Sequence, residues 1–246
     1  LPAVVYTSGQ LLPMESVTRE ARRRGIVIGW DCSHSIGAVP HALEDWGADF
    51  AFWCHYKYLN AGPGAVGGLF LNRRHHGRSP GLAGWFSSRK DRQFDMAHTL
   101  VPAEDAGALQ IGTPHILSLA PLSGSLDVHH EAGSERLRTK SLALTDFLRR
   151  VVTAELSPFG VGFATPVEEE RRGGHLALLH PAAAALSRAL RREGVVPDFR
   201  PPNLIRLAPV ALYTSFEDCW EAVRRLRDIL DSGAYETTQN ARGLVP

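Results

Sequence analysis

Lysine is scarce in this 246-residue chain: Lys57, Lys90 and Lys140 are the three, and every other basic residue is an arginine. A net charge is missing as well, because 27 basic and 26 acidic residues leave +1. Without an overall field, the chain is not expected to bind nucleic acid or a membrane surface, and small-molecule or protein partners are the default. The densest basic run, Arg19 to Arg24, is interrupted by Glu20 and Ala21 and reads as one solvated helix face. Cysteine is limited to Cys32, Cys54 and Cys219, an odd number at wide spacing. That excludes a disulfide framework and points to reduced thiols in a cytoplasmic protein. No Cys-x-x-Cys occurs, and adjacent histidines such as His75-His76 and His129-His130 point apart, so no metal site is expected. Long apolar runs are absent, and Leu1-Pro2-Ala3-Val4-Val5 has no charged signal region, which implies a soluble protein. That strand-like start without a methionine leads us to expect further chain before Leu1. Internal repeats and low-complexity tracts are absent too, and glycines 62, 64, 67 and 68 do not spell a dinucleotide fingerprint; they are suited to a tight turn.

What is present is the composition of a globular protein with a real core, 44% hydrophobic and 22% charged. Apolar runs at Ala3 to Tyr6, Ile26 to Trp30, Asp49 to Trp53 and Gly67 to Leu71 predict strands, with helical periodicity over Met14 to Arg24 and near Pro40 to Trp46. Such alternation predicts an α/β domain with a mostly parallel sheet, whose ligands lie beyond the carboxyl ends of its strands. Residues 77 to 112 lose the pattern and read as a long functional loop. Two helices follow, broken near Gly133. Strands at Val161 to Phe163, Leu176 to His180 and Leu204 to Ala208, with helices Ala182 to Arg192 and Phe216 to Leu230, predict a small α+β unit, and the tail after Asp231 is expected to fray. The expected domains are therefore 1–115, part of a large domain; 116–152, connecting helices; and 153–246, a small carboxyl-terminal domain.

One of the few lysines, Lys57, lies in Cys54-His55-Tyr56-Lys57-Tyr58-Leu59-Asn60, just after a predicted strand. Desolvation by aromatic neighbours favours a neutral amine, so this lysine is a candidate Schiff-base nucleophile. Asp31 ends the preceding strand, with His34 three residues on. A carboxylate that keeps a pyridine nitrogen protonated and an amine that holds an aldehyde are the two parts pyridoxal phosphate requires. Taken singly, Asp31 also suits a helix N-cap and Lys57 a surface position.

The runs Gly29-Trp30-Asp31-Cys32-Ser33-His34-Ser35-Ile36-Gly37-Ala38, Asp45-Trp46-Gly47-Ala48-Asp49-Phe50-Ala51 and Tyr56-Lys57-Tyr58-Leu59-Asn60-Ala61-Gly62-Pro63-Gly64 closely resemble kynureninase. The resemblance extends through Gly84-Trp85-Phe86, Gly112-Thr113-Pro114 and Arg206-Leu207-Ala208-Pro209-Val210-Ala211-Leu212-Tyr213, nearly the whole chain. It implies a fold-type I, pyridoxal-phosphate-dependent enzyme corresponding to the carboxyl-terminal part of that family's chain. The implied reaction is hydrolysis of L-kynurenine, or 3-hydroxykynurenine, to anthranilate, or 3-hydroxyanthranilate, and L-alanine. That reaction belongs to tryptophan catabolism, the kynurenine pathway and NAD biosynthesis.

Carried over by position, the resemblance implies that Lys57 binds the cofactor covalently, Asp31 pairs with its pyridine nitrogen, and His34 lies near it. Tyr56 is implied to bind the phosphate and share in proton transfer. Trp85 and Thr113 are implied to reach the phosphate from a neighbouring subunit, so that the site belongs to a homodimer interface. Arg206 is implied to grip the substrate α-carboxylate, a task suited to its bidentate fork. The chain departs from the family at Ser87-Ser88, where Gly-His is usual, a change that bears on recognition of the substrate ring. Two alternatives stand beside this reading. One is another fold-type I enzyme, such as a cysteine desulfurase or aminotransferase; the other is a truncated, non-catalytic relative that serves only as a dimerisation module. The 246 residues alone are expected to bind the cofactor weakly or not at all.

Overall fold

The computed structural model describes residues 1–241, which form two compact units, one of residues 1–3, 13–36 and 41–131 and one of residues 4–12, 37–40 and 132 onward. The first unit carries a three-stranded sheet of β1 (Gly29–Asp31), β2 (Phe50–Cys54) and β3 (Gly67–Leu71), in that order. β1 and β2 run parallel, whereas β2 and β3 pair antiparallel. The sheet expected to be mostly parallel is therefore mixed over the strands described.

α1 (Met14–Arg23) is the amphipathic helix the sequence predicts, burying Met14, Thr18 and Ala21 at helical spacing. Glu15 in its first turn and Arg22 and Arg23 in its last complement the helix dipole. Thr18 also seats the helix on β1: the indole Nε1 of fully buried Trp30 donates to Thr18 Oγ1 at 2.9 Å, in a site shut off from water. The basic run is solvated as expected, with Arg19 paired to Glu15 and both Arg23 and Arg24 paired to Glu20. α2 (Leu43–Trp46) follows. Behind the sheet, buried Asp49 accepts from Ile28 N at 2.8 Å, from Arg74 at 2.7 Å and from His75 at 2.5 Å, joining the starts of two strands to the chain after β3.

One expected strand is absent. Over Ala3 to Tyr6 the chain makes only isolated bridges, Pro2 with Asp31 and Val4 with Leu11, because it turns at Tyr6 to Ser8 and returns through Gly9. Residues 73 to 112 hold only short 3-10 turns. α3 (Ile116–Ala132) comes next, and it buries none of its residues.

The second unit is built on α4 (Ser134–Leu156), β4 (Gly162–Phe163), β5 (Leu176–Leu179), α5 (Ala183–Arg192), β6 (Asp198–Arg200), β7 (Leu204–Leu207) and α6 (Phe216–Ser232). Its sheet is antiparallel throughout, in the order β4-β5-β7-β6. The break between α3 and α4 falls at Gly133 as predicted, where φ is +78°. α4 packs a stripe of Leu144, Leu148, Val151, Val152 and Leu156 inward, against Leu176, Leu178, Leu186, Leu190 and Ile205. α6 starts on a reciprocal cap: Ser215 Oγ accepts from Asp218 N at 3.0 Å, while Asp218 Oδ2 accepts from Ser215 N at 2.8 Å. β6 escapes the sequence patterning because it is three residues long and none of them is fully buried.

The tail expected to fray is tied down through Ala241. Asn240 Oδ1 accepts from Ala185 N at 3.2 Å near the start of α5, and Arg188 donates to Ala241 O at 2.9 Å. The rest of the predicted tail, residues 242–246, lies outside the described residues. Among the described residues, no helix is long and apolar enough to cross a membrane.

Candidate active site

β1 and β2 end side by side in the first unit, with Cys32 N donating to Phe52 O at 2.8 Å, and a turn leaves each carboxyl end. In the turn after β1, Asp31 Oδ1 accepts from Ser33 N at 2.9 Å. Asp31 thus organises a turn rather than capping a helix. His34 is half-buried in that turn, and the buried Ser35 Oγ donates to Cys32 O and meets His41 Nε2 at 2.9 Å.

The turn after β2 carries Lys57. Asn60 N bonds to Lys57 O at 2.9 Å and Ala61 N to His55 O at 3.0 Å, which curls the segment tightly. The curl continues through Gly62 and Gly64 at φ of +85° and +77°, a backbone region glycine enters without strain. Gly62 and Gly64 serve the tight turn the sequence suggested, whereas Gly67 and Gly68 open β3, paired with Cys54 and Trp53. Lys57 is half-buried, its Nζ 5.6 Å from the centroid of the Tyr56 ring, and among the described residues no carboxylate pairs with it.

Cys54 links the two turns and was not singled out from the sequence. Its thiol lies 3.5 Å from Ser33 Oγ and shares a hydrogen bond with the Tyr56 hydroxyl. Burial on its own would push the thiol up, yet the bonds to Ser33 and Tyr56 and the charge of Lys57 outweigh both that and the nearby Asp31, holding it below the ordinary thiol range. Tyr56 is moved the other way: its bond to Cys54 and the charge developing there raise it, so the phenol keeps its proton as a donor. Burial is the main cause that pushes the remaining thiols, Cys32 and Cys219, up to about 11, with the charges of Asp31 and Asp218 respectively adding to it. The sequence signal for Cys54 was its place at a strand end three residues before the lysine.

Trp85 and Thr113 come together as a pair, with the indole Nε1 donating to Thr113 Oγ1 at 3.2 Å. Trp85 is half exposed and meets Phe94 and Phe86 edge-on, at 5.5 and 5.8 Å between centroids. Thr113 does not cap the following helix; His115 does, its Nδ1 accepting from Ser118 N at 3.2 Å. Gly84 is required in this loop because a Cβ there would come within 2.1 Å of Ile111 O. Ser87 is buried, accepting from Gly84 N at 3.1 Å and donating to Gln110 O at 2.8 Å, so its hydroxyl serves the loop itself.

Arg206 lies on β7 in the second unit. Its Nη1 donates to Tyr6 O at 2.6 Å, and its other Nη group is ion-paired with Asp198 on the neighbouring strand. Neither Tyr6 nor Asp198 was selected from the sequence, since Asp198 meets Arg206 through the pairing of β6 with β7 and Tyr6 meets it from a turn 200 residues away.

The donor set fits pyridoxal phosphate at its two anchoring points. An amine that no carboxylate among the described residues neutralises and a half-buried carboxylate follow the ends of adjacent parallel strands, with the hydroxyls of Ser33 and Tyr56 and the Cys54 thiol between them. No group of three metal-ligating side chains occurs among the described residues.

The class-V aminotransferase family model matches residues 3–180, and that of the kynureninase C-terminal domain matches residues 137–226. Kynureninases from Bacillus anthracis and Geobacillus thermodenitrificans (strain NG80-2) are 56% and 54% identical over 245 residues, covering 100% of this chain and 57% of each relative. The chain thus spans little more than half the length of these relatives. Among solved structures, the cystine C–S lyase C-DES with its product cysteine persulfide superposes with a TM-score of 0.80 at 21% identity, over 93% of this chain and 60% of that one. A cysteine desulfurase from Thermococcus onnurineus NA1 gives 0.75 at 17% identity, over 94% and 59%. At such identities the likeness is one of fold.

Proposed function

Because this chain belongs to the class-V aminotransferase family, we propose that it binds pyridoxal 5'-phosphate and serves the hydrolysis of L-kynurenine or 3-hydroxykynurenine to anthranilate or 3-hydroxyanthranilate and L-alanine. The observation that carries the choice of reaction is identity of 54–56% to kynureninases along the whole chain, against 17–21% to the C–S lyase and desulfurase of the same fold.

Bound at the two strand ends, the cofactor supplies an electron sink that allows the bond between the substrate's β and γ carbons to break. Lys57 would anchor it, and the same amine, within reach of the substrate α-carbon, would take and carry its proton. Asp31, its backbone fixed by the β1–β2 ladder and its Oδ1 held by Ser33 N, would pair with the pyridine nitrogen and keep it protonated. His34 would sit near the ring. Tyr56 would bind the phosphate and, keeping its proton beside Cys54, could give it to the substrate β-carbon as the acyl group leaves. Arg206 orients the substrate through its α-carboxylate, and orientation is a large share of such barriers.

Trp85 and Thr113, joined by their hydrogen bond and exposed, are assigned to the phosphate of a second copy, which makes the working unit a homodimer with the site at its interface. The cytoplasm is the expected compartment, given three cysteines without a disulfide among them.

The likeness to C–S lyase and desulfurase structures favours a second reading, release of sulfur from cysteine. Assaying anthranilate released from kynurenine beside sulfide released from cysteine, with the full gene product that carries this chain, separates the two. Anthranilate without sulfide is expected; sulfide alone would replace our reading with the second, and neither product would favour a non-catalytic dimerisation module.

A further inference from the structure

Asp198 has no role in the chemistry above, yet its surroundings are built around Arg206. It stands directly opposite Arg206 in the antiparallel pairing of β6 with β7. Its Oδ2 is ion-paired with Arg206 Nη2 and lies 3.1 Å from the Nη2 of Arg200, so one carboxylate oxygen serves both guanidinium groups. Both guanidinium groups sit over the same Tyr6 ring, at 5.8 Å for Arg206 and 5.9 Å for Arg200. The Tyr6 carbonyl takes a bond from Arg206 Nη1. Two cations sharing one ring repel unless a counter-charge separates them, and Asp198 is that charge.

The geometry also fixes an orientation. A guanidinium is planar, so holding one Nη group at Tyr6 O and the other at Asp198 defines its plane as well as its position. Arginine otherwise loses considerable rotamer freedom whenever it binds an anion. A fork set in advance meets a carboxylate without that loss.

We propose that Asp198 is the positioning residue of the substrate site: it holds the Arg206 fork in the plane that receives an α-carboxylate and neutralises Arg200 beside it. This rests on the reading that Arg206 takes the substrate carboxylate. An edge strand such as β6 also carries charged residues merely to deter pairing with other chains, and the test must tell the two roles apart.

The experiment uses the full gene product that carries this chain, loaded with pyridoxal phosphate, as wild type, Asp198→Asn, Asp198→Glu and Arg206→Lys. Steady-state kinetics with kynurenine are combined with calorimetric titration of L-alanine and of the decarboxylated amine of kynurenine, which lacks the group Arg206 would grip. Asp198→Asn keeps the side-chain shape, and circular dichroism checks the fold. We expect KM to rise about tenfold or more with kcat within about threefold, the pattern of lost ground-state binding. L-Alanine affinity should fall in parallel, the decarboxylated amine should bind as before, and Asp198→Glu should recover part of the loss. Equal weakening of the decarboxylated amine would reduce Asp198 to a structural residue and overturn the inference. So would an unchanged or lowered KM in Asp198→Asn while Arg206→Lys raises it, an outcome that leaves the reading of Arg206 standing. If Arg206→Lys also leaves KM unchanged, that reading fails and the inference falls with it.

Discussion

The two units bury their apolar residues to different degrees. In the second, helices α4, α5 and α6 close over an antiparallel sheet, and Leu144, Leu176, Leu178, Leu186 and Val223 are fully buried. In the first, β2 hides Ala51 but turns Phe50 and Phe52 outward, 36% and 46% exposed, and Ile116 and Leu117 of α3 are more than 70% exposed. The contrast teaches that the residues proposed to hold the cofactor and the closed core fall in different units. The first unit places Asp31, Tyr56 and Lys57 on turns beyond strand ends and leaves apolar surface unpartnered, whereas the second is a closed core that carries Arg206 on its sheet. Loops held by hydrogen bonds rather than burial are where functional groups concentrate.

The largest difference between the units should come from Lys57→Ala in the full gene product. Anthranilate release should fall by roughly a thousandfold or more, as when a covalent nucleophile is removed, with the unfolding transition unchanged. Activity within tenfold of wild type would remove Lys57 from the chemistry.

Thiol labelling probes the same contrast. Cys54, half-buried with its thiol held low, should react with an aromatic disulfide reagent at least roughly tenfold faster than Cys32 or Cys219, which burial pushes up to about 11. Equal rates at all three would show that the Ser33 and Tyr56 contacts do not tune Cys54.

Core substitutions compare the units in stability. Leu186→Ala should cost about 2–5 kcal/mol in denaturant unfolding, because its site is closed on every side. Phe52→Ala should cost less than about 1 kcal/mol, since its ring is largely solvated already. Similar losses at both positions would erase the distinction between a closed and an open unit.

The smallest effect concerns acid. Burial tends to raise the Asp49 carboxyl, but the Ile28 N–H, His75 and Arg74 outweigh it and hold it below the ordinary carboxylate range. A group depressed in the folded state contributes stability that is complete above its unfolded value, about 3.9, and lost as pH falls through the folded one. Asp49→Asn should therefore flatten the acid limb of stability below about pH 4 and leave neutral pH dependence alone. An unchanged acid limb would mean that the bonds to Asp49 do not discriminate its charge states.

Much of this was legible in the sequence, and the remainder has physical reasons for escaping it. The α1 stripe, the Gly133 break, β3 and the three helices of the second unit follow from apolar periodicity and punctuation, signals local to each element. Lys57, Asp31 and Arg206 were marked by residue type and by likeness to a known family. Ala3 to Tyr6 misled because its apolar run is spent on two separate bridges, and β6 was hidden because three half-buried residues have no period to read. The Asp198–Arg206 pair and the placing of Cys54 between two turns are products of strand pairing, which no local pattern encodes.

The central claim is that Lys57 is the amine that holds pyridoxal phosphate. Borohydride reduction of the loaded full gene product, followed by peptide mass mapping, tests it most directly, since only three lysines in this chain can carry the reduced label. The account requires the label on Lys57 and its loss in Lys57→Ala. A label on Lys90 or Lys140 in its place, or one spread evenly over all three, would contradict it.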